Sequence, residues 1–109
     1  MSASLGLTLR RPMGGKSQKI TYTGTAGTSN ALPPSASSVA LFITTVGYVN
    51  ISFGTAAVAA TTSDIPLPAN TMVILPIERP TAPATDNQCF VSAVQDAAGG
   101  TLYLIPLAD

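Results

Sequence analysis

The sequence predicts an all-β fold: a single-domain β-sandwich or jelly roll of about six to eight short antiparallel strands, with an extended N-terminal arm. Three observations lead there. Short runs rich in Val, Ile, Thr and aromatic residues recur along the chain and are separated by Gly, Pro and Asn, the punctuation of strands and turns. No segment sustains a helical period of apolar residues. The length, 109 residues, suits one domain that buries roughly two thirds of the surface its unfolded chain exposes. The arm is drawn at residues 1–16 and the sandwich at residues 17–109.

In the arm, Leu5, Leu7 and Leu9 alternate with Gly6 and Thr8, the period of an extended strand, and Pro12, Gly14 and Gly15 interrupt any regular element. Such an arm either completes the domain's own sheet or adds a strand to a neighbour. In residues 18–23, Ile20 and Tyr22 alternate with Lys19, Thr21 and Thr23, which predicts a strand with one polar face. Residues 24–37, GTAGTSNALPPSAS, read as a loop.

Residues 38–45, SVALFITT, and 48–53 are nearly all apolar or β-branched, and Val46-Gly47 between them predicts a tight hairpin in which Gly47 takes φ > 0. In the second of these strands Val49, Ile51 and Phe53 share the inner face, opposite Tyr48, Asn50 and Ser52. Residues 55–70, TAAVAATTSDIPLPAN, hold alanines that favour helix, but Thr61, Thr62 and Ser63 compete with it and Pro66 and Pro68 close it. A loop or short irregular strand is expected there, with Asn70 in the left-handed position of a turn. Residues 71–77 resume as a strand, and 78–87, ERPTAPATDN, form a solvent-facing loop. Strands at 88–95 and 101–105 are joined by DAAGG, whose paired glycines suit a hairpin.

Charged residues make up only 9% of the chain and the formal net charge is zero, a composition that favours self-association because little repulsion keeps copies apart. The charges are also unevenly placed. Arg10, Arg11, Lys16 and Lys19 stand in the first nineteen residues with no acid among them, and all five acids lie at or beyond Asp64. Four bases without interleaved aromatics make a weak nucleic-acid footprint, and acidic patches on a protein partner fit them better. The opening MSASLGLTLRRP has the wrong charge order and too short an apolar run for a secretory signal, and no stretch approaches the length of a membrane-spanning helix.

Histidine and tryptophan are absent and Cys89 is the single cysteine, which removes Ser-His-Asp and Cys-His nucleophile arrangements and zinc sites built on His or several Cys. Cys89, flanked by apolar residues, reads as a buried side chain. The acids Asp64, Glu78, Asp86 and Asp96 show no spacing that pairs them for acid-base work, Asp86-Asn87 lacks a calcium-loop spacing, and GTAGTSN lacks the lysine of a phosphate loop. No catalytic, cofactor or metal residues are expected.

Residues 39–106 resemble a small β-domain that recurs in virions of tailed bacteriophages. The resemblance rests on VNISFG at 49–54 leading into an Ala/Thr loop, the PLPAN turn at 66–70, an apolar strand, a Pro-containing loop and the closing GTLYLIP at 100–106. Asn70 stands where glycine is commoner. The resemblance implies a non-enzymatic structural protein made in the host cytoplasm and carried on the capsid surface. There a decoration (cement) protein binds the major capsid protein and bridges its subunits. A tail, neck or fibre module that recognises a host receptor or glycan is the alternative. The expected partners are the major capsid protein and further copies of the chain, as dimer or trimer, with neither nucleic acid nor membrane. The residues expected to meet the capsid are Leu5, Leu7 and Leu9 as apolar anchors, with Arg10, Arg11, Lys16 and Lys19 on acidic or carbonyl-rich surface.

Overall fold

Runs of apolar and β-branched residues form the strands, some alternating with polar positions and some nearly continuous. A computed structural model describes residues 11–77 and 88–108. Nine strands form among them: β1 (Arg11–Pro12), β2 (Gln18–Tyr22), β3 (Gly27–Thr28), β4 (Ser38–Ile43), β5 (Gly47–Gly54), β6 (Ile65–Leu67), β7 (Thr71–Pro76), β8 (Gln88–Gln95) and β9 (Gly100–Ala108). They build two antiparallel sheets with no helix among the described residues. The five-stranded sheet runs β1-β9-β4-β7, with β2 also pairing β9; the four-stranded sheet runs β3-β8-β5-β6. The expected all-β sandwich is the observed fold.

The core lies between the sheets. Ile20 and Tyr22 of β2, Val39, Leu41 and Ile43 of β4, and Leu102 and Leu104 of β9 come from one side. Val49 of β5, Leu67 of β6, and Cys89, Val91 and Ala93 of β8 come from the other. Each set occupies alternate positions along its strand, as a pleated backbone dictates. The alternation read at 48–53 therefore holds: Val49 is buried, and Ile51 and Phe53 pack against the core. Cys89 is buried as expected.

Two expected hairpins are not hairpins. β4 and β5 belong to different sheets, as do β8 and β9, so the segments 44–46 and 96–99 carry the chain across the sandwich. Gly47 does not have a positive φ. Its lack of a side chain is required by close approach, because a Cβ there would lie 2.8 Å from the Val94 carbonyl oxygen. The same holds for Gly100, where a Cβ would collide with Thr45 Oγ1 and lie 2.7 Å from the Tyr22 hydroxyl. A glycine before a strand signals either a left-handed turn or a crowded backbone, and the crowding governs both sites here.

Asn70 does adopt the left-handed conformation, with φ of 56°, and its N–H donates to the Ile43 carbonyl at 2.8 Å. The stretch 24–37 contains the short strand β3, which the sequence reading took wholly as loop. β9 runs on to Ala108 through Pro106. That proline is tolerated because β2 stops opposite Leu104 and β1 begins opposite Leu107, so the ladder on that side is already broken. The other strand prolines, Pro12, Pro66 and Pro76, sit in β1, β6 and β7, the outermost strands of their sheets, where a missing N–H disrupts no internal ladder and discourages edge-to-edge pairing.

Candidate functional site

Each sheet has a face turned away from the core, and the chain treats the two differently. On the four-stranded sheet, Tyr48, Asn50 and Ser52 of β5 share the outer face with Phe90, Ser92 and Val94 of β8, to which they are paired. The Ala/Thr segment 55–64 folds back over this face. The Val58 N–H donates to Ser52 Oγ at 3.2 Å, the Ala60 N–H donates to Ser92 Oγ at 2.9 Å, and Asn50 Nδ2 donates to Asp64 Oδ1 at 3.0 Å. The end of the segment is closed by the Thr61 N–H on Asp64 Oδ2 at 2.7 Å. Hydrogen bonds to Thr61 and Asn50 favour the ionised carboxylate and hold the Asp64 carboxyl below its ordinary range. Ala60, Phe90, Ser92 and Val94 are all buried. Beside them Tyr48 donates to Asp96 at 3.0 Å, which pushes the phenol's pKa up.

The outer face of the five-stranded sheet has a different composition. Register places Met72, Phe42, Tyr103 and Lys19 in one row across β7, β4, β9 and β2. Ile74, Ala40 and Ile105 form the next row. Phe42 and Tyr103 meet with ring centroids 6.3 Å apart and planes tilted by 41°, a favourable cross-strand arrangement. Met72 is 55% exposed, Ile74 56% and Tyr103 42%. Lys19 is the one charged side chain in β2, β4, β7 and β9, and it stands at the rim. These apolar side chains are neighbours across the strands, unlike the singly scattered hydrophobes of an ordinary surface.

Of the residues expected to meet a partner, Leu5, Leu7, Leu9 and Arg10 lie outside the described residues. Arg11 is in β1, paired with Ala108 at the end of β9. Lys19 borders the apolar face beside Tyr103. Lys16 lines an open cleft of about 820 Å³ with Met13, Gln18, Leu32, Pro33 and Gln88. The three described cations are exposed and are spread along one margin of the sheet. The predicted loop at 78–87, with Glu78 and Asp86, also lies outside the described residues.

The apolar face escaped the reading by sequence, although its signal was present. In TMVILP every position from 72 to 75 is apolar, so no alternation leaves a wet side, and SVALFI has the same property. A strand of this kind is covered on both faces, yet β7 and β4 have a sheet on one face only. Among the described residues no group of three His, Cys, Asp or Glu could hold a metal ion, and no helix is long and apolar enough to cross a membrane. Compared with protein-family models, with curated proteins and with solved structures, the chain has no match in any of the three.

Proposed function

We propose that this chain is a structural protein of a virion, a capsid decoration (cement) protein that binds the outer lattice and stabilises it by bridging major capsid protein subunits. The observation that carries the reading is the asymmetry of the sandwich: one outer face is sealed by the chain's own segment 55–64, while the other presents Met72, Ile74 and Tyr103 to the outside. Such a molecule offers contact area and a stiff frame, which is what a lattice-reinforcing part supplies. The turn and strand motifs at 49–54, 66–70 and 100–106 support the same assignment through their resemblance to phage virion domains. The residues preceding β1, with Leu5, Leu7, Leu9 and Arg10, together with Arg11, Lys16 and Lys19, make the lattice contact in this reading. Modest individual affinity is multiplied by repetition over the lattice.

The test is co-sedimentation with assembled capsids. The full chain is expected to pellet with them, and a Leu5→Ser, Leu7→Ser, Leu9→Ser variant to remain in the supernatant; no association of the full chain with capsids or tails overturns the reading. A tail or fibre module that binds a host glycan has one observation in its favour, the exposed Tyr103 ring on a flat face. Glycan-array binding abolished by Tyr103→Ala would favour that reading instead.

A further inference from the structure

We infer that the outer face of the five-stranded sheet is closed by a second copy of this chain, in a face-to-face dimer centred on β4. The inference deepens the assembly reading above, but it concerns contacts between copies and is read out with no capsid present.

Four observations point to a copy of the same chain. First, the rows Met72-Phe42-Tyr103 and Ile74-Ala40-Ile105 contain no charge, and Lys19 at the rim stays hydrated when the centre is covered. An identical neutral face buries nothing charged on either side, whereas a typical surface of another protein brings charges that must be desolvated. Second, Ala40 is a hollow between Ile74 and Ile105 in its row, and Phe42 is the bulky residue of the same strand in the next row. A two-fold axis between the two faces, at right angles to β4 and passing between the rows, sets Phe42 of each copy over Ala40 of the other, the interleaving with which sheets stack.

Third, the area fits a weak, concentration-dependent pair. Four strands and about six residues span roughly 19 by 20 Å at the usual strand spacing and rise, so two such faces cover about 760 Å² in plane, on the scale of the transient contacts that fall below roughly 1,200 Å². Fourth, edge-to-edge pairing of copies is restricted. The edge strands β1, β6 and β7 each contain a proline and β3 is two residues long, so extension of a sheet is disfavoured there, which leaves β2, paired with β9 alone, as the edge strand without a proline. With a formal net charge of zero, nothing at long range opposes the approach of two copies.

The experiment is analytical ultracentrifugation of the full chain across a dilution series, beside two variants. The wild type is expected to sediment as a dimer of the 11.0 kDa chain at about 100 µM and to dissociate on dilution. Met72→Glu with Ile74→Glu, both at exposed positions, is expected to weaken dimerisation by about 100-fold or more. The Leu5→Ser, Leu7→Ser, Leu9→Ser variant is expected to dimerise like wild type.

A wild type that stays monomeric at about 100 µM overturns the inference. So does a dimer that survives the glutamates, or one lost only with the leucines, which would make the arm the contact. Should the glutamate variant fail to fold, methyl NMR of the wild type decides. The chain has three methionines, and the Met72 methyl is expected to shift with dilution while that of Met13 does not; an invariant Met72 signal across dissociation sinks the proposal. Capsid co-sedimentation by the glutamate variant is a separate readout, so the lattice reading and the pairing inference fail independently.

Discussion

The Tyr22 hydroxyl and the Thr45 backbone hold one another: the hydroxyl donates to the Thr45 carbonyl oxygen at 2.6 Å and accepts the Thr45 N–H at 3.2 Å. Tyr22 is fully buried. Thr45 Oγ1 in turn lies 3.2 Å from the carbonyl oxygens of Ala98 and Gly99. A single phenol thus ties β2 to both segments that cross between the sheets. Tyr22→Phe removes the hydroxyl and leaves Thr45 groups without their partner, which is expected to cost about 1–3 kcal/mol. Urea unfolding at neutral pH measures it.

Gly100→Ala tests the same junction from the other side. Its Cβ would meet Thr45 Oγ1, Tyr22 and Thr44 Oγ1, so the expected loss is about 1–3 kcal/mol from overpacking. Because Tyr22 and Gly100 act on one cluster, the double variant Tyr22→Phe with Gly100→Ala is expected to lose less than the sum of the two. Additive urea midpoints would contradict a shared junction.

Ser92 links the sealing segment to β3, since its hydroxyl accepts the Ala60 N–H and donates to the Gly27 carbonyl, both at 2.9 Å. It is 1% exposed, so Ser92→Ala leaves two inner backbone groups unpaired at a cost of about 1–3 kcal/mol. Hydrogen exchange is expected to quicken at the Ala60 amide and to stay slow at Val91, whose N–H donates to Ser29 Oγ at 2.9 Å.

Acid should loosen the same segment. The Asp64 carboxyl is held below its ordinary 3.8 by the Thr61 backbone hydrogen bond first and the Asn50 side chain second. A depressed folded pKa gives stability that is fully present above the unfolded value and is lost as pH falls through the folded value. Asp64→Asn is therefore expected to be less stable than wild type at neutral pH, with the gap closing below the ordinary carboxylate range. Urea midpoints at several pH values check this, and a gap that widens in acid contradicts it.

Asn70 and Gly54 separate backbone strain from crowding. Asn70 has φ of 56° and Gly54 of 136°, and nothing lies within 4 Å of a Cβ built at Gly54. Gly54→Ala is expected to cost about 1–3 kcal/mol from backbone conformation alone. Asn70→Val is expected to cost about 1–2 kcal/mol for forcing a β-branched residue into the left-handed region. Asn70→Gly is expected to be close to neutral in thermal melts.

The strands of the core were legible because their residues obey a period of two. Ile20 and Tyr22, or Val49, Ile51 and Phe53, declare an inner side without reference to any partner. What the sequence concealed was which strand joins which sheet. Gly47 and Gly100 look like hairpin glycines, but their role is to let Val94, Tyr22 and Thr45 come close, and those neighbours are far away along the chain. The partners of the Ser52 and Ser92 hydroxyls were hidden for the same reason, since only the fold brings Val58 and Ala60 to them. The apolar face was legible in TMVILP as a strand with no polar side, but its exposure depended on knowing that no second layer lies over β7 and β4.

The cover that segment 55–64 places over Ser52 and Ser92 leaves one broad side of the sandwich open. Were two copies to pair through that side as inferred above, no sheet face would be left over, and growth would stop at two instead of running on into a fibre, as it would for a subunit tacky on both sides.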